Sequence, residues 1–268
     1  MEHEVFEKFR TLIHGESGIS LKDEKKVLLE NRIRRRMNEL RLRDPRDYLE
    51  LIELDIDGSE IVHLLDAVST NHTFFFREGS HFTQLAQILK SRVASGQKEI
   101  RIWCAASSTG EEPYTILMTA AEAVDLNTCE VKLLASDISM TVLQTASSGC
   151  YSEEGLSGVS LELRKKYFSQ IGPYDYQIRR DLREKVLFKR LNLSTFPYPL
   201  KGSFDIIFCR NVMIYFEREL RHKIVQEFHR LLVPGGCLFV GHSEASAGQV
   251  KGFRRTENAM FLKEGCGK

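Results

Sequence analysis

The sequence predicts an α/β protein with a doubly wound, mostly parallel sheet, preceded by an all-helical segment. Three observations carry this. Ile100 to Pro113 is an apolar run, a small-residue turn and a helix start, the opening of an α/β ligand-binding domain. Apolar runs of strand length then alternate with helical spacings, which requires a mainly parallel sheet covered on both faces. Upstream, the chain to about Asp66 has amphipathic helical spacing and no glycine between Ile19 and Asp57.

Composition limits the functions available. The 268 residues suffice for one large domain or a large and a small one, and 42% hydrophobic with 28% charged residues is ordinary for a globular protein. A net charge of +1 implies no polyanionic partner, and no nucleic-acid partner is expected. The start, MEHEVFEKFR, has neither a basic region nor an apolar core, so no signal peptide is expected. No apolar run approaches the roughly 20 residues of a membrane span. The six cysteines, Cys104, Cys129, Cys150, Cys209, Cys237 and Cys266, lack zinc or redox spacing; three sit in apolar runs as small core residues. No metal site and a cytoplasmic location are the expectations.

Between Lys22 and Arg46 there are ten basic and five acidic residues. Leu29, Ile33, Met37 and Leu40 share one helix face, and Lys25, Arg32, Arg36 and Arg43 line up beside it. The basic line is either a solvated face or a docking stripe for an acidic partner. Asp44-Pro45 ends this helix and begins the next. In Thr70 to Glu78, TNHTFFFRE, three aromatics interrupt polar residues. Asn71, Thr73 and Arg77 could face a ligand above packed phenylalanines, or the stretch is a connector with aromatic anchors. His72 reads as a surface or packing residue.

At the central turn only Gly110 is present, so the G-x-G-x-x-G of a pyrophosphate-binding loop is missing. Glu111 and Glu112 occupy the helix N-terminus, whose free amides would otherwise attract an anion. A cationic ligand without phosphate suits such a site, and S-adenosylmethionine has that chemistry. The alternative is that both glutamates only stabilise the first helical turn.

The next strand, Val131 to Ser136, ends at Asp137, where an acidic residue would grip a ribose. A helix follows from Met140 to Ser147. From about Tyr151 to Lys185 the pattern breaks into polar, glycine-containing stretches around a helix at Leu161 to Phe168, an insertion in the main sheet. Val186 to Asn192 and Phe204 to Cys209 resume the strands, with a long helix at about Glu217 to Leu232. Pro234-Gly235-Gly236 reads as a stop and turn before a strand at Cys237 to Gly241, and Met260 to Leu262 as a last strand.

TNHTFFFRE, AASSTGEEP, ASDIS, FCRNVMIYF and GHSE occur in this order. Together they resemble the CheR-type chemotaxis receptor glutamate O-methyltransferases over nearly the whole chain. The resemblance implies a helical N-terminal domain (residues 1–68), a linker (69–82) and a class I, Rossmann-like methyltransferase domain (83–268) with a small β-subdomain inserted at about 151–185. It implies S-adenosylmethionine as cofactor, S-adenosylhomocysteine as product, and methylation of glutamates on the cytoplasmic helical bundle of chemoreceptors. Asn71, Thr73 and Arg77 would reach the cofactor from the linker. Ala105, Glu111 and Glu112 would lie at its methionine end. Asp137 would hold the ribose, and Asn192 and Leu193 would flank the adenine. Arg210, Asn211 and Tyr215 would line the transfer site, with Arg77 and Tyr215 as catalytic candidates and Arg32, Arg36 and Arg43 docking the receptor.

The chemistry agrees with the lack of a Ser-His-Asp or metal constellation. A glutamate carboxylate, with an ordinary pKa of about 4.3, is already a nucleophile at neutral pH. The enzyme must align it with the methyl and exclude water. Methylation of another signalling protein, or a non-catalytic cofactor-binding adaptor, are the alternatives. A monomer is expected. The Phe168 to Tyr176 segment holds one glycine, followed by Pro173, so binding of a receptor C-terminal pentapeptide by strand addition is not expected.

Overall fold

The computed structural model describes residues 1–246 and 251–265; Cys266 lies outside them. Helices α1 (His3–Ser17), α2 (Lys26–Glu39), α3 (Pro45–Leu54) and α4 (Ser59–Val68) pack together at the N-terminal end. Phe6, Phe9 and Ile13 of α1 recur at helical spacing and are fully buried against Leu29 and Ile33 of α2 and Leu64 of α4. Each such side chain contributes about 1.5–3 kcal/mol by leaving water. Helix α3 starts as its sequence dictates, with Pro45 in the first turn and the Asp44 carboxylate accepting from the Arg46 amide at 2.9 Å.

Helix α5 (Ser80–Ala94) starts within the expected linker and leads into the main sheet. Its strands are β1 (Glu99–Ala105), β2 (Glu130–Asp137), β6 (Val186–Arg190), β7 (Phe204–Cys209), β8 (Leu232–Val240), β9 (Phe253–Arg255) and β10 (Met260–Lys263). They lie in the order β6-β2-β1-β7-β8-β10-β9. The first five run parallel, and β10 and β9 close one edge antiparallel. Alternate β1 residues feed two cores. Ile100, Ile102 and Cys104 join α5 and α6 (Glu111–Ala123); Trp103 and Ala105 join Ile224, Val225 and Phe228 of α10 (Arg218–Leu231).

Pro234-Gly235-Gly236 departs from expectation. It is a bulge inside β8: Phe204 pairs with Leu232, yet Ile206 pairs with Cys237. Arg92 holds the bulge from another element, donating to the Gly235 carbonyl at 3.0 Å and to Asp205 at 2.9 Å. The strand therefore continues where local turn chemistry reads as a stop.

Helix α7 (Met140–Ser148) leads to a three-stranded antiparallel sheet, β3 (Cys150–Ser152), β4 (Phe168–Gln170) and β5 (Asp175–Ile178), in the order β3-β5-β4. Helix α8 (Leu161–Tyr167) lies between β3 and β4, and the short α9 (Arg180–Arg183) returns the chain to β6. Phe75 from the TNHTFFFRE stretch packs edge-on against Tyr151 and Phe168 of this sheet.

Candidate functional site

Strand order reverses beside β1: the chain proceeds outward through β2 to β6, then returns to β7 on the other side. Ligands of such sheets bind at that switch, past the C-terminal strand ends. Ala105 pairs with Ser136 and with Cys209, so Ala106, Asp137 and Arg210 emerge at one edge. A cavity of about 570 Å³ opens there, a size suited to a small-molecule cofactor. Asn71, Thr73, Arg77, Glu112, Asp137, Asn192, Leu193, Arg210, Asn211 and Tyr215 all line it.

The turn after β1 shapes the floor. Gly110 has φ +99°, and a Cβ there would come within 3 Å of the Ala146 and Tyr151 side chains. Only glycine allows this close packing of the turn on α7. The Tyr151 hydroxyl donates to the Thr109 carbonyl at 2.8 Å, fastening the small sheet to the turn. The Asp137 carboxylate accepts from the Ser108 amide at 2.9 Å and from the Ser139 amide at 3.0 Å. Burial pushes its carboxyl pKa above the ordinary value, against the pull of those amides.

Arg210 is the buried cation of the site. Its guanidinium donates to Glu112 at 2.5 Å, to Glu78 at 3.0 Å and to the Arg77 carbonyl, and it lies over the Phe82 ring. It thereby ties the end of β7 to α6 and to the linker. Burial raises the Glu78 carboxyl pKa, but Arg210 more than offsets this and holds it below the ordinary range. Glu78, His81 and His242 offer ligand atoms within 4.8 Å of one another. Burial, with Arg210 next in effect, lowers the His81 pKa to about 4, and the same guanidinium opposes a metal cation there.

Arg77 is held differently. Its guanidinium donates to the His72 carbonyl at 3.0 Å and lies over the Phe74 ring, with no carboxylate in salt-bridge reach among the described residues. It is half-buried at the cavity and can accept an anionic group.

Three expectations need correction. Ala105 is fully buried in the core, and the cavity wall begins at Ala106. Glu111 turns away from the cavity lining, where its carboxylate accepts from Thr109 at 2.7 Å. The proposed docking stripe is not a free surface. Arg36 donates twice to Glu60, at 2.8 and 2.7 Å, and Glu60 also accepts from Tyr48. Arg32 donates to the carbonyls of Val68 and Ser69 and to the Thr70 hydroxyl, securing the start of the linker. Arg43 alone of the three is exposed.

The sequence reading missed the wall supplied by the segment after α1. Ser17, Ile19, Ser20 and Leu21 line the cavity. The Ser20 amide donates to the Tyr215 carbonyl at 2.9 Å, and Asn192 donates to the Glu16 carbonyl at 2.7 Å. Ser107 was also missed: the residue lines the cavity, and its hydroxyl is buried without a hydrogen-bond partner among the described residues. A buried hydroxyl without a partner is costly. The Glu112 and Asp137 carboxylates and the apolar Ile138 and Leu193 fit a cationic nucleoside-bearing cofactor such as S-adenosylmethionine.

Residues 71–261 match the family described as "CheR methyltransferase, SAM binding domain", and residues 4–69 match "CheR methyltransferase, all-alpha domain". The chain is 41% identical over 242 residues to the chemotaxis protein methyltransferase of Escherichia coli K12, covering 89% of this chain and 83% of that one. It is 36% identical over 244 residues to that of Borreliella burgdorferi, covering 88% and 86%. Against chemotaxis protein methyltransferase 2 of Pseudomonas aeruginosa it is 38% identical over 244 residues, covering 90% and 86%.

Proposed function

The chain belongs to the CheR methyltransferase family, whose cofactor is S-adenosylmethionine, and from that premise we propose that it methylates glutamate side chains of chemoreceptors, forming glutamyl methyl esters. The observation that carries the reading is the cavity at the sheet's switch point. Its lining combines carboxylates suited to a cationic cofactor with Arg77, a guanidinium not paired to a carboxylate among the described residues. The bound cofactor supplies an electrophilic methyl on a sulfonium.

The side chains then have separable roles. Asp137 accepts the ribose hydroxyls while keeping its two backbone donors. Glu112, fixed by Arg210, faces the positively charged end. Asn192 and Leu193 flank the adenine, with the segment after α1 closing that side. Arg77 orients the incoming glutamate carboxylate through paired hydrogen bonds. Tyr215 and Asn211 complete the wall where that carboxylate meets the methyl. The acceptor is ionised at neutral pH, so no general base is required. The same reading treats residues 1–68 as the docking domain, 69–82 as a linker belonging to the site, and 83–268 as the transfer domain with its insertion at about 151–185.

The test is transfer of labelled methyl from S-adenosylmethionine to chemoreceptor-bearing membranes of the same cell. Label released as methanol by mild base identifies a carboxyl methyl ester. Base-stable label on protein would identify a different acceptor atom, and cofactor binding without transfer would favour an adaptor.

A further inference from the structure

The GHSE motif, Gly241 to Glu244, has no part in the roles assigned above, yet its glutamate is among the most buried carboxylates of the chain, 2% exposed. β7 and β8 run parallel and end together at Cys209 and Val240. β7 continues into Arg210, Asn211 and a short turn, Met213–Tyr215; β8 continues into Gly241 and a matching turn, His242–Glu244. The Glu244 side chain reaches back between these two exits. One carboxylate oxygen accepts from the Asn211 amide at 2.7 Å and from the Gly241 amide at 2.8 Å. The other accepts from the Ile214 amide at 3.2 Å.

One carboxylate thus joins three backbone donors on two loops. Asn211 has φ +60°, a left-handed conformation uncommon outside glycine, although asparagine tolerates it better than most side chains. The Glu244 carboxylate accepts from the Asn211 amide in this conformation. Gly241 permits the approach: a Cβ there would lie 2.6 Å from both the Asn211 side-chain nitrogen and the Glu244 carboxylate. Among the described residues Glu244 has no cationic partner within salt-bridge distance, so the amides alone hold the buried carboxylate. Burial of an acid without a counter-ion is costly. The loop it shapes carries Asn211 and Tyr215 into the cavity.

We propose that Glu244 is the positioning residue of the transfer site: it sets the Asn211–Tyr215 loop so that Asn211 and Tyr215 meet the acceptor carboxylate and the methyl in line. It touches neither reactant. The proposal rests on the methyltransferase reading above. Its signature is a split between binding and turnover, because the Asp137 and Ser108 wall belongs to other strand ends. Misplacing a catalytic wall by even one ångström can cost about 100-fold in rate.

The experiment compares wild type, Glu244→Gln and Gly241→Ala for S-adenosylmethionine affinity by calorimetry and for turnover on chemoreceptor membranes at saturating cofactor. Gln keeps the volume but sets an amide NH2 against backbone N–H groups. Gly241→Ala keeps the carboxylate but drives it away from Asn211. The expected result is cofactor affinity within about threefold of wild type and turnover lowered roughly 10- to 100-fold in either folded variant. Either folded variant with wild-type turnover, or with turnover and cofactor affinity falling together, overturns the role. If Glu244→Gln does not fold, Gly241→Ala alone decides. Wild type that fails to label receptors would instead defeat the functional reading, a separate outcome.

Discussion

The guanidinium of Arg210 sits between two carboxylates that belong to different parts of the chain, Glu78 of the linker and Glu112 of α6. Its charge is therefore neutralised inside the site, whereas Arg77 has no carboxylate partner among the described residues. The two arginines lining the same cavity have different consequences when removed. Arg77→Ala loses one hydrogen bond to a carbonyl and a ring contact, so stability should change by no more than about 0.5 kcal/mol. Turnover at saturating cofactor and receptor should fall roughly 10- to 100-fold, because the acceptor loses its orienting donor, and Arg77→Lys should restore only part of it, since a point charge cannot make the paired bonds. Unchanged turnover in Arg77→Ala would make the residue structural. Asp137 gives a contrasting case. Its oxygens already accept two backbone amides, so Asp137→Ala would orphan those donors as well as the ribose hydroxyls. Cofactor affinity should weaken by about 1–3 kcal/mol, with a loss of folding stability of the same order. Calorimetry alongside urea denaturation separates the two, and unaltered affinity would remove Asp137 from the cofactor site.

Among elements, α2 shows how far periodicity carries. Leu29, Ile33 and Met37 are legible as its buried face and are buried. The partner of Arg36 was not legible, because Glu60 comes from α4, two helices later, and a helical wheel contains no tertiary contact. Contiguous motifs exposed most of the cavity lining for a local reason: strand ends and the turns after them are consecutive in sequence. The segment after α1 escaped, since it meets Tyr215 through backbone atoms nearly 200 residues away. β9 escaped too, since Phe253-Arg254-Arg255 has the composition of an exposed edge and no apolar run. The Arg36–Glu60–Tyr48 cluster yields a pH prediction. Burial raises the Glu60 carboxyl pKa, but bonds from Arg36 and Tyr48 outweigh it and bring it below the ordinary value. A depressed carboxyl stabilises the fold above its unfolded pKa, and the contribution is lost as pH falls through the folded value. Glu60→Gln should therefore cost about 1–3 kcal/mol at pH 7. That difference should shrink below about pH 4. Urea midpoints at both pH values check this, and a difference independent of pH would show that the charge of Glu60 is immaterial.

At the scale of the whole molecule the question is how a receptor is held over the cavity. With Arg32 and Arg36 engaged internally, the exposed cations beside the opening are Lys22 and Lys25, which line it together with Leu28. No helix among the described residues is long and apolar enough to cross a membrane. The β-subdomain offers little for a peptide backbone to grip at its tip. Between β4 and β5 the amides of Ile171 and Gly172 both donate to the Asp175 carbonyl, Pro173 has no amide, and the Tyr174 carbonyl accepts from Glu153. A Cβ at Gly172 would lie 3.1 Å from the Asp175 carboxylate, so the turn is already filled on that side. Strand addition needs a row of free backbone donors and acceptors, and in this subdomain only the outer edges of the three-residue strands β3 and β4 present one. Removing the C-terminal pentapeptide from the receptors should therefore leave the apparent KM within about twofold. Reversing both Lys22 and Lys25 to glutamate should raise the KM several-fold at low salt and flatten its dependence on ionic strength, because the lost attraction is electrostatic. Micromolar binding of the free pentapeptide, abolished by changes in Gly172 to Tyr176, would reverse the first expectation. A KM unmoved by the double reversal at low salt would place docking elsewhere on the surface.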